Sequence, residues 1–400
     1  MKLDGLFGEA VDRIGGEPVS ARMARKAPIR HLDPALLFAT LLLSAFGVLM
    51  VFSATVHKQE TAGLDPNAFM ERQIIFAIVG AGLLIAMSMF DYRHLRAFAP
   101  VLYAMALIGL VLVLTPLGDV RGGASRWINL GAFQAQPSEL AKLAVLVAMA
   151  AFLAERKGDV GARDVAAVCG IALVPMVLIY LQPDLGTTLV FVILTGVTLL
   201  VGGAKLRHFG ALALIAAIAV VAVIQLGLLK DYQIERVTAF LDASPDVQSE
   251  GYNLTQSKIA IASGGMRGKG LRAENTQTSL DFVPEQHTDF IFTAVGEQLG
   301  FVGSATLLGL FVLLIWRALR IATMSRDMFG TLMASGIAAY WVFQVFVNVG
   351  MTMGIMPVTG IPLPFISYGR SSLVVSIISL GLLQSIAMHS RSEGAKRPVL

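Results

Sequence analysis

The chain has 400 residues, of which 14% are charged and 56% hydrophobic, with a mean hydropathy of +0.72 and a formal net charge of +4. Ordinary soluble domains carry roughly 25% charged residues, so a water-exposed fold could not cover this much apolar surface. The composition excludes a disordered chain, a basic nucleic-acid-binding domain and a typical cytosolic enzyme; it points to a chain whose solvent is mostly lipid.

The first 34 residues are polar, carry six Lys or Arg and contain no apolar core, so they read as a basic cytosolic tail rather than a signal peptide. Ten apolar runs follow, at 35–56, 73–90, 97–116, 137–154, 165–182, 183–202, 208–229, 290–316, 329–354 and 364–388. Each approaches the ~20 residues that a helix needs to cross a bilayer. The expected fold is an all-α polytopic integral membrane protein. It comprises one ten-helix domain, 35–388, with a long extracytoplasmic loop (230–289) between helices 7 and 8, and cytosolic tails 1–34 and 389–400. Only the Gln182-Pro183 break separates the fifth and sixth runs, and fusing them would give nine crossings. Positive-inside bias favours ten. Nineteen Lys and Arg then fall in the inner segments against eleven in the outer ones, and six of those eleven lie in the long loop, where the rule has little force. Both termini are then cytosolic. Cys169, the single cysteine, cannot form an intramolecular disulfide.

Polar groups at the helix ends carry the functional signal. Gln136-Pro137-Ser138-Glu139 opens the fourth span, and Lys142 shares a helix face with Glu139, so the two can pair. The pair reads either as a neutralised helix start or as part of a polar cavity; a lysine inside a span usually faces the bundle interior. Gln182-Pro183-Asp184 opens the sixth span, where Asp184 suits a helix cap equally well. Glu285, His287, Thr288 and Asp289 lead the long loop into the eighth span, with Glu297 two turns further on. A carboxylate at the junction with an apolar run is poorly hydrated and holds its proton more tightly, which suits a general base. His287 lacks a second histidine at ligand spacing. Pro362 to Ser372, including Ser367, Tyr368 and Arg370, makes an irregular start to the last span; such backbone is tolerated at membrane depth only where it lines a cavity or is buried in protein. Arg126 and Trp127 lie in an outer loop, and the long loop adds Lys258, Arg267 and Lys269 among glycines. In this topology all of these groups share the outer side. Helix N-termini, basic side chains and glycine amides gathered there form an anion-friendly face. Nucleotide- and metal-binding motifs are absent from the sequence.

Arg126-Trp127-Ile128, Gln136-Pro137-Ser138-Glu139 with Lys142, and Gln182-Pro183-Asp184-Leu185-Gly186-Thr187 strongly resemble the SEDS (shape, elongation, division, sporulation) family. So do Gln256-Ser257-Lys258 to Gly270, Pro284-Glu285-x-His287-Thr288-Asp289-Phe290-Ile291-Phe292, and Pro362 to Ser372, in unbroken order from about residue 36 to 388. The stretch Ile234 to Asp242 is closer to the elongation branch than to the division branch. The resemblance implies a bacterial peptidoglycan glycosyltransferase of the cytoplasmic (inner) membrane that polymerises lipid II on the outer, periplasmic face. It implies Asp289 as the catalytic residue, and a class B penicillin-binding protein and other elongation-complex membrane proteins as partners, with no nucleic acid. Arg126, Trp127, Gln136, Ser138, Glu139, Lys142, Asp184, Lys258, Glu285, His287, Thr288, Ser367, Tyr368 and Arg370 are the expected substrate-binding or site-supporting residues. No cofactor is required by any motif; the leaving diphosphate can be neutralised by Lys142, Arg126 or Lys258, by helix N-termini, or by a divalent cation. Two departures from the family pattern stand out: Arg370 replaces the usual glycine after Ser-Tyr-Gly, and Arg272-Ala273-Glu274-Asn275 replaces a more glycine-rich turn. A lipid II flippase and a non-catalytic scaffold of the elongation machinery are the competing readings.

Overall fold

The structure, a computed structural model, describes residues 32–392 apart from 122–123, 130, 132–133, 157–159, 226, 228–249, 275, 281 and 284. The Ile234 to Asp242 stretch and almost all of both tails lie outside the described residues. In chain order the elements are α1 (Pro34–Thr61), α2 (Ala68–Met89), α3 (His94–Val113), β1 (Gly118–Arg121), β2 (Ala124–Asn129) and β3 (Gln134–Ala135). They continue with α4 (Pro137–Ala154), α5 (Ala162–Leu181), α6 (Leu185–Val201), α7 (Leu206–Gln225), α8 (Glu250–Ser263), α9 (Ile291–Met324), α10 (Met328–Thr352) and α11 (Arg370–Ser392). Among the described residues nine helices are long and apolar enough to span a membrane, and α6, with 17 residues, is a shorter apolar tenth. Gln182 to Asp184 separates α5 from α6, so the ten-span count holds over the fused alternative.

Local chemistry explains the helix starts. Asp33 caps α1 by accepting from the Leu36 amide at 3.1 Å, and Pro34 takes the first turn, where a missing N–H costs nothing. The same buried carboxylate pairs with Arg317 of α9, while Gln384 of α11 accepts the Asp33 amide at 2.8 Å. One charged joint thus ties three helices together at the end of the bundle opposite Asp289. Helices α4, α10 and α11 are buried along most of their length and form the centre, whereas α2, α3 and α7 turn most of their surface outward to lipid.

Four features depart from the expected elements. The 117–136 loop folds as a small antiparallel sheet in the order β1-β2-β3, with Trp127 opposite Asp119 and Ile128 opposite Ala135. The long loop contains α8, which packs along α9 and α10. Helix α11 starts at Arg370 rather than at Pro364, because Phe365 adopts φ 65 and Ser367 turns its hydroxyl back to accept the Leu363 amide at 2.8 Å. The eighth span also runs on to Met324 and is broken at Gly300 (φ 64, ψ −159), leaving a short N-terminal rod, 291–299, ahead of the longer segment.

Candidate functional site

Asp289 sits half-buried one residue before the cap of α9. Its backbone is set by a tight turn: Glu285 adopts φ 52, and its carbonyl accepts the amides of Thr288 and Asp289, each at 3.1 Å. The Thr288 hydroxyl donates to the Glu285 carboxylate at 3.1 Å, so the exposed Glu285 side chain braces the turn it begins. From below, Asn348 of α10 donates to the carbonyl oxygens of Asp289 and Ile361, both at 2.8 Å, and its own carbonyl oxygen is buried without a partner. Gly360, at φ 72, lies directly under the carboxylate: a Cβ there would stand 3.3 Å from Asp289 Oδ2. Glycine at that position satisfies the left-handed backbone and leaves room for the carboxylate.

Aromatic contacts carry the site outward. Phe69, in the first turn of α2, stacks edge-on to His287 (5.0 Å between centroids) and Tyr368 (4.9 Å). Tyr368 donates its amide to the His287 carbonyl at 2.9 Å, and Arg370 Nη2 approaches the Tyr368 hydroxyl at 3.5 Å. The Gln136 amide donates to Ser371 Oγ at 3.0 Å, which docks the start of α4 on the start of α11. The N-terminal ends of α2, α4, α9 and α11 therefore converge, and Asp289, His287, Thr288, Glu285, Gln136, Ser367, Tyr368 and Arg370 gather around one region.

Several cations expected there are committed elsewhere. Arg126 of β2 donates through Nε to the Gln182 carbonyl at 3.2 Å and through Nη2 to the Pro183 carbonyl, so it clamps the α5–α6 turn. Asp184 caps α6, accepting the Thr187 amide at 3.0 Å and the Thr187 hydroxyl at 2.9 Å. Lys142 and Glu139 form a 2.8 Å ion pair in which both side chains are almost wholly buried, and Lys142 lies over the Tyr340 ring at 5.6 Å. That pair holds α4 to α10 inside the bundle and presents no open charge. Ser138, beside it, keeps a buried hydroxyl without a partner. Trp127 is half-buried on β2. Lys258 stays exposed, its stem packed over Gly354.

The glycine-rich stretch of the long loop is a packing joint rather than an anion cradle. The amides of Gly268, Lys269 and Gly270 donate to the carbonyls of Gly264 (2.7 Å), Glu297 (3.0 Å) and Gln298 (3.0 Å). A Cβ on Gly268 would overlap the Gln298 carbonyl, and one on Gly300 would overlap the Gly268 amide. At the centre of this joint is Glu297, fully buried. Its oxygens accept from the Gln277 amide (2.8 Å), the Thr278 amide (2.9 Å), the Thr278 hydroxyl (2.6 Å) and Lys269 Nζ (2.9 Å). Asn348 and Arg72, a second arginine near Arg370, escaped the sequence reading: a mid-span asparagine and a lone loop-edge arginine carry no motif. Among the described residues there is no group of three or more His, Cys, Asp or Glu that could hold a metal ion.

These features define a polytopic membrane protein with an acidic group on a rigid turn at one end of its bundle. The family profile of the FtsW/RodA/SpoVE cell cycle proteins matches residues 34–392. The chain belongs to this family, the SEDS proteins. It is 39% identical over 362 residues to the peptidoglycan glycosyltransferase MrdB of Escherichia coli (strain K12), covering 90% of this chain and 95% of that protein. It is 37% identical to the stage V sporulation protein E of Bacillus subtilis (strain 168), over 90% and 98%. Among solved structures it matches a chain of a peptidoglycan synthase complex that coordinates polymerization and crosslinking, with a TM-score of 0.75, 34% identity, and coverage of 90% and 98%. It also matches the rod shape determining protein RodA of Thermus thermophilus, with a TM-score of 0.64, 31% identity, and coverage of 90% and 96%.

Proposed function

We infer that this protein is a peptidoglycan glycosyltransferase that polymerises lipid II on the outer face of the cytoplasmic membrane, with Asp289 as general base. Family membership supports the activity class. The observation that carries the residue assignment is the setting of Asp289: a carboxylate on a turn fixed by Glu285 and Asn348, above a glycine, where four helix N-termini converge. Asp289 takes the proton from the 4-hydroxyl of the acceptor GlcNAc. That oxygen attacks the anomeric carbon of the donor MurNAc, forming the new C–O bond with inversion from α to β. The bond to the diphosphate breaks, and undecaprenyl diphosphate leaves with the electron pair. The leaving group is already an anion, so no strong general acid is needed. A divalent cation, if bound, would neutralise that diphosphate; no step here passes through one. Positive-inside bias supports cytosolic termini and a periplasmic site. The likeness to a chain of a synthase complex that couples polymerization to crosslinking supports a class B penicillin-binding protein as partner. Other elongation-complex proteins are proposed on the family resemblance alone.

The test is polymerisation of lipid II by the purified protein with its partner. Asp289→Ala and Asp289→Asn should fold normally and make no glycan. Full synthesis by either variant would refute the assignment. Lipid II translocation in liposomes without polymer would favour the flippase reading instead.

A further inference from the structure

With Arg126 and Lys142 committed to internal partners, Lys258 alone of the three expected cations stays exposed, and a leaving diphosphate calls for more positive charge than one lysine. One cavity supplies it. It measures about 350 Å³ and is lined by Arg72, Ile75 and Phe76 of α2, Gly131 of the sheet loop, and Arg370 at the start of α11. Arg72 and Phe76 are one helical turn apart on α2, and the Arg370 guanidinium lies over the Phe76 ring at 5.9 Å. Both arginines therefore line the same space. Among the described residues neither has a carboxylate partner, and Arg370 has only the Tyr368 hydroxyl at 3.5 Å. Two unpaired arginines brought together repel each other, and they are stabilised by an anion that both can grip, phosphate geometry above all.

The cavity's surroundings narrow the ligand. Phe69, one turn before Arg72, packs on His287 and Tyr368, which places the arginines beside the Asp289 turn. In the other direction the outer face of α2 continues as Ile75, Ile78, Val79 and Ile85, each more than half exposed or close to it. A molecule with its charge on the arginines can thus lay an apolar chain along α2 in the lipid. We propose that Arg72 and Arg370 form a binding subsite for the diphosphate of a lipid-linked substrate, with the polyprenyl chain running along α2. This rests on the lipid II reading above and deepens it. Arg370 stands where the family pattern has glycine, so the second guanidinium is a property of this chain and should tighten its grip on the diphosphate.

The experiment uses the full chain in nanodiscs and measures binding of fluorescent undecaprenyl diphosphate, with neutral undecaprenol as control. Arg370→Gly and Arg72→Gln should each weaken diphosphate binding about tenfold, the usual worth of a charge-assisted phosphate contact. Arg370→Lys should recover most of the loss, and undecaprenol binding should not change. In polymerisation assays Arg370→Gly should raise KM for lipid II by a similar factor while kcat moves less than about twofold. Unchanged binding in folded Arg370→Gly and Arg72→Gln, or equal losses for undecaprenol, would overturn the proposal. So would displacement of undecaprenyl diphosphate by raising the phosphatidylglycerol content of the nanodisc, which would mark a general headgroup site. Binding does not pass through the reaction, so an active Asp289→Ala would refute the base assignment and leave this subsite standing.

Discussion

Glu297→Gln removes one negative charge from the centre of the loop joint and converts one acceptor oxygen to a donor. The Gln277 amide, Lys269 and, at 3.5 Å, the Ser263 hydroxyl donate to Oε1, and the Thr278 amide and hydroxyl donate to Oε2. Whichever way glutamine turns, its NH2 faces at least two donors, and at least one backbone N–H is left buried without an acceptor. Hydrogen bonds to a charged group contribute about 1.5–3 kcal/mol each. Lys269 is one-third exposed and recovers water, so most of the cost falls on the amides and the Thr278 hydroxyl. Loss of two such bonds, discounted for non-additivity, gives about 3–5 kcal/mol against the closed loop. The cost should appear as local opening, because the bundle core does not depend on this joint. A change of about 3 kcal/mol raises the open fraction roughly a hundredfold. Limited proteolysis between residues 270 and 285 should accelerate by that factor in Glu297→Gln, with glycan synthesis falling in step because this segment leads directly into the Asp289 turn. Wild-type cleavage rates in the variant would refute the reasoning.

Three further outcomes follow from the packing. Asn348→Ala removes two donated bonds beneath Asp289, each worth about 1 kcal/mol; kcat should fall about tenfold or more while KM for lipid II holds. Lys142→Met strands a buried Glu139 carboxylate and should cost about 3–5 kcal/mol in thermal stability. Pairing it with Glu139→Gln should restore most of the stability, which would mark the pair as scaffold if synthesis returns too. Tyr92, in the turn between α2 and α3, donates to Asp327, the cap of α10, and burial together with that carboxylate pushes its phenol well above the usual value. A raised pKa means stability that is present below the ordinary tyrosine pKa of about 10 and is lost as pH rises beyond it. Thermal unfolding should therefore fall more steeply above about pH 10 in the wild type than in Tyr92→Phe.

What the sequence made legible was whatever rests on local composition. Ten spans were visible because each is one apolar run, and the α5–α6 break was visible because Gln182-Pro183-Asp184 cannot sit mid-helix. The polar starts of α4, α9 and α11 were legible as one group with Asp289, but the start of α2, which brings Phe69 onto His287 and Tyr368, was not, and Asp184 at the start of α6 serves its own helix as a cap. Partners far apart in sequence were not legible. Nothing in Arg126 announces that it will clamp carbonyls 56 residues later, and nothing in Lys269 names Glu297, 28 residues on, as its anion. The glycines at 264–270 pointed to exposed amides because glycine signals close approach without saying to what; here the approach is to α9. The small sheet escaped because β1 spans four residues and β3 two, too short for alternation to register.

The break at Gly300 has a mechanical meaning. The rod 291–299 carries the Asp289 turn at its head and the Glu297 clasp in its middle, and the long loop bridges the break: Lys269 and Gly270 are fastened to the rod, while the amides of Phe301 and Val302 beyond it donate to the Gly265 and Met266 carbonyls at 2.9 and 3.1 Å. The loop is a splint laid across Gly300. Where the glycine interrupts the helix, bonds to the loop span the gap, so the direction in which the rod aims Asp289 is set by the fold of a segment outside the helix.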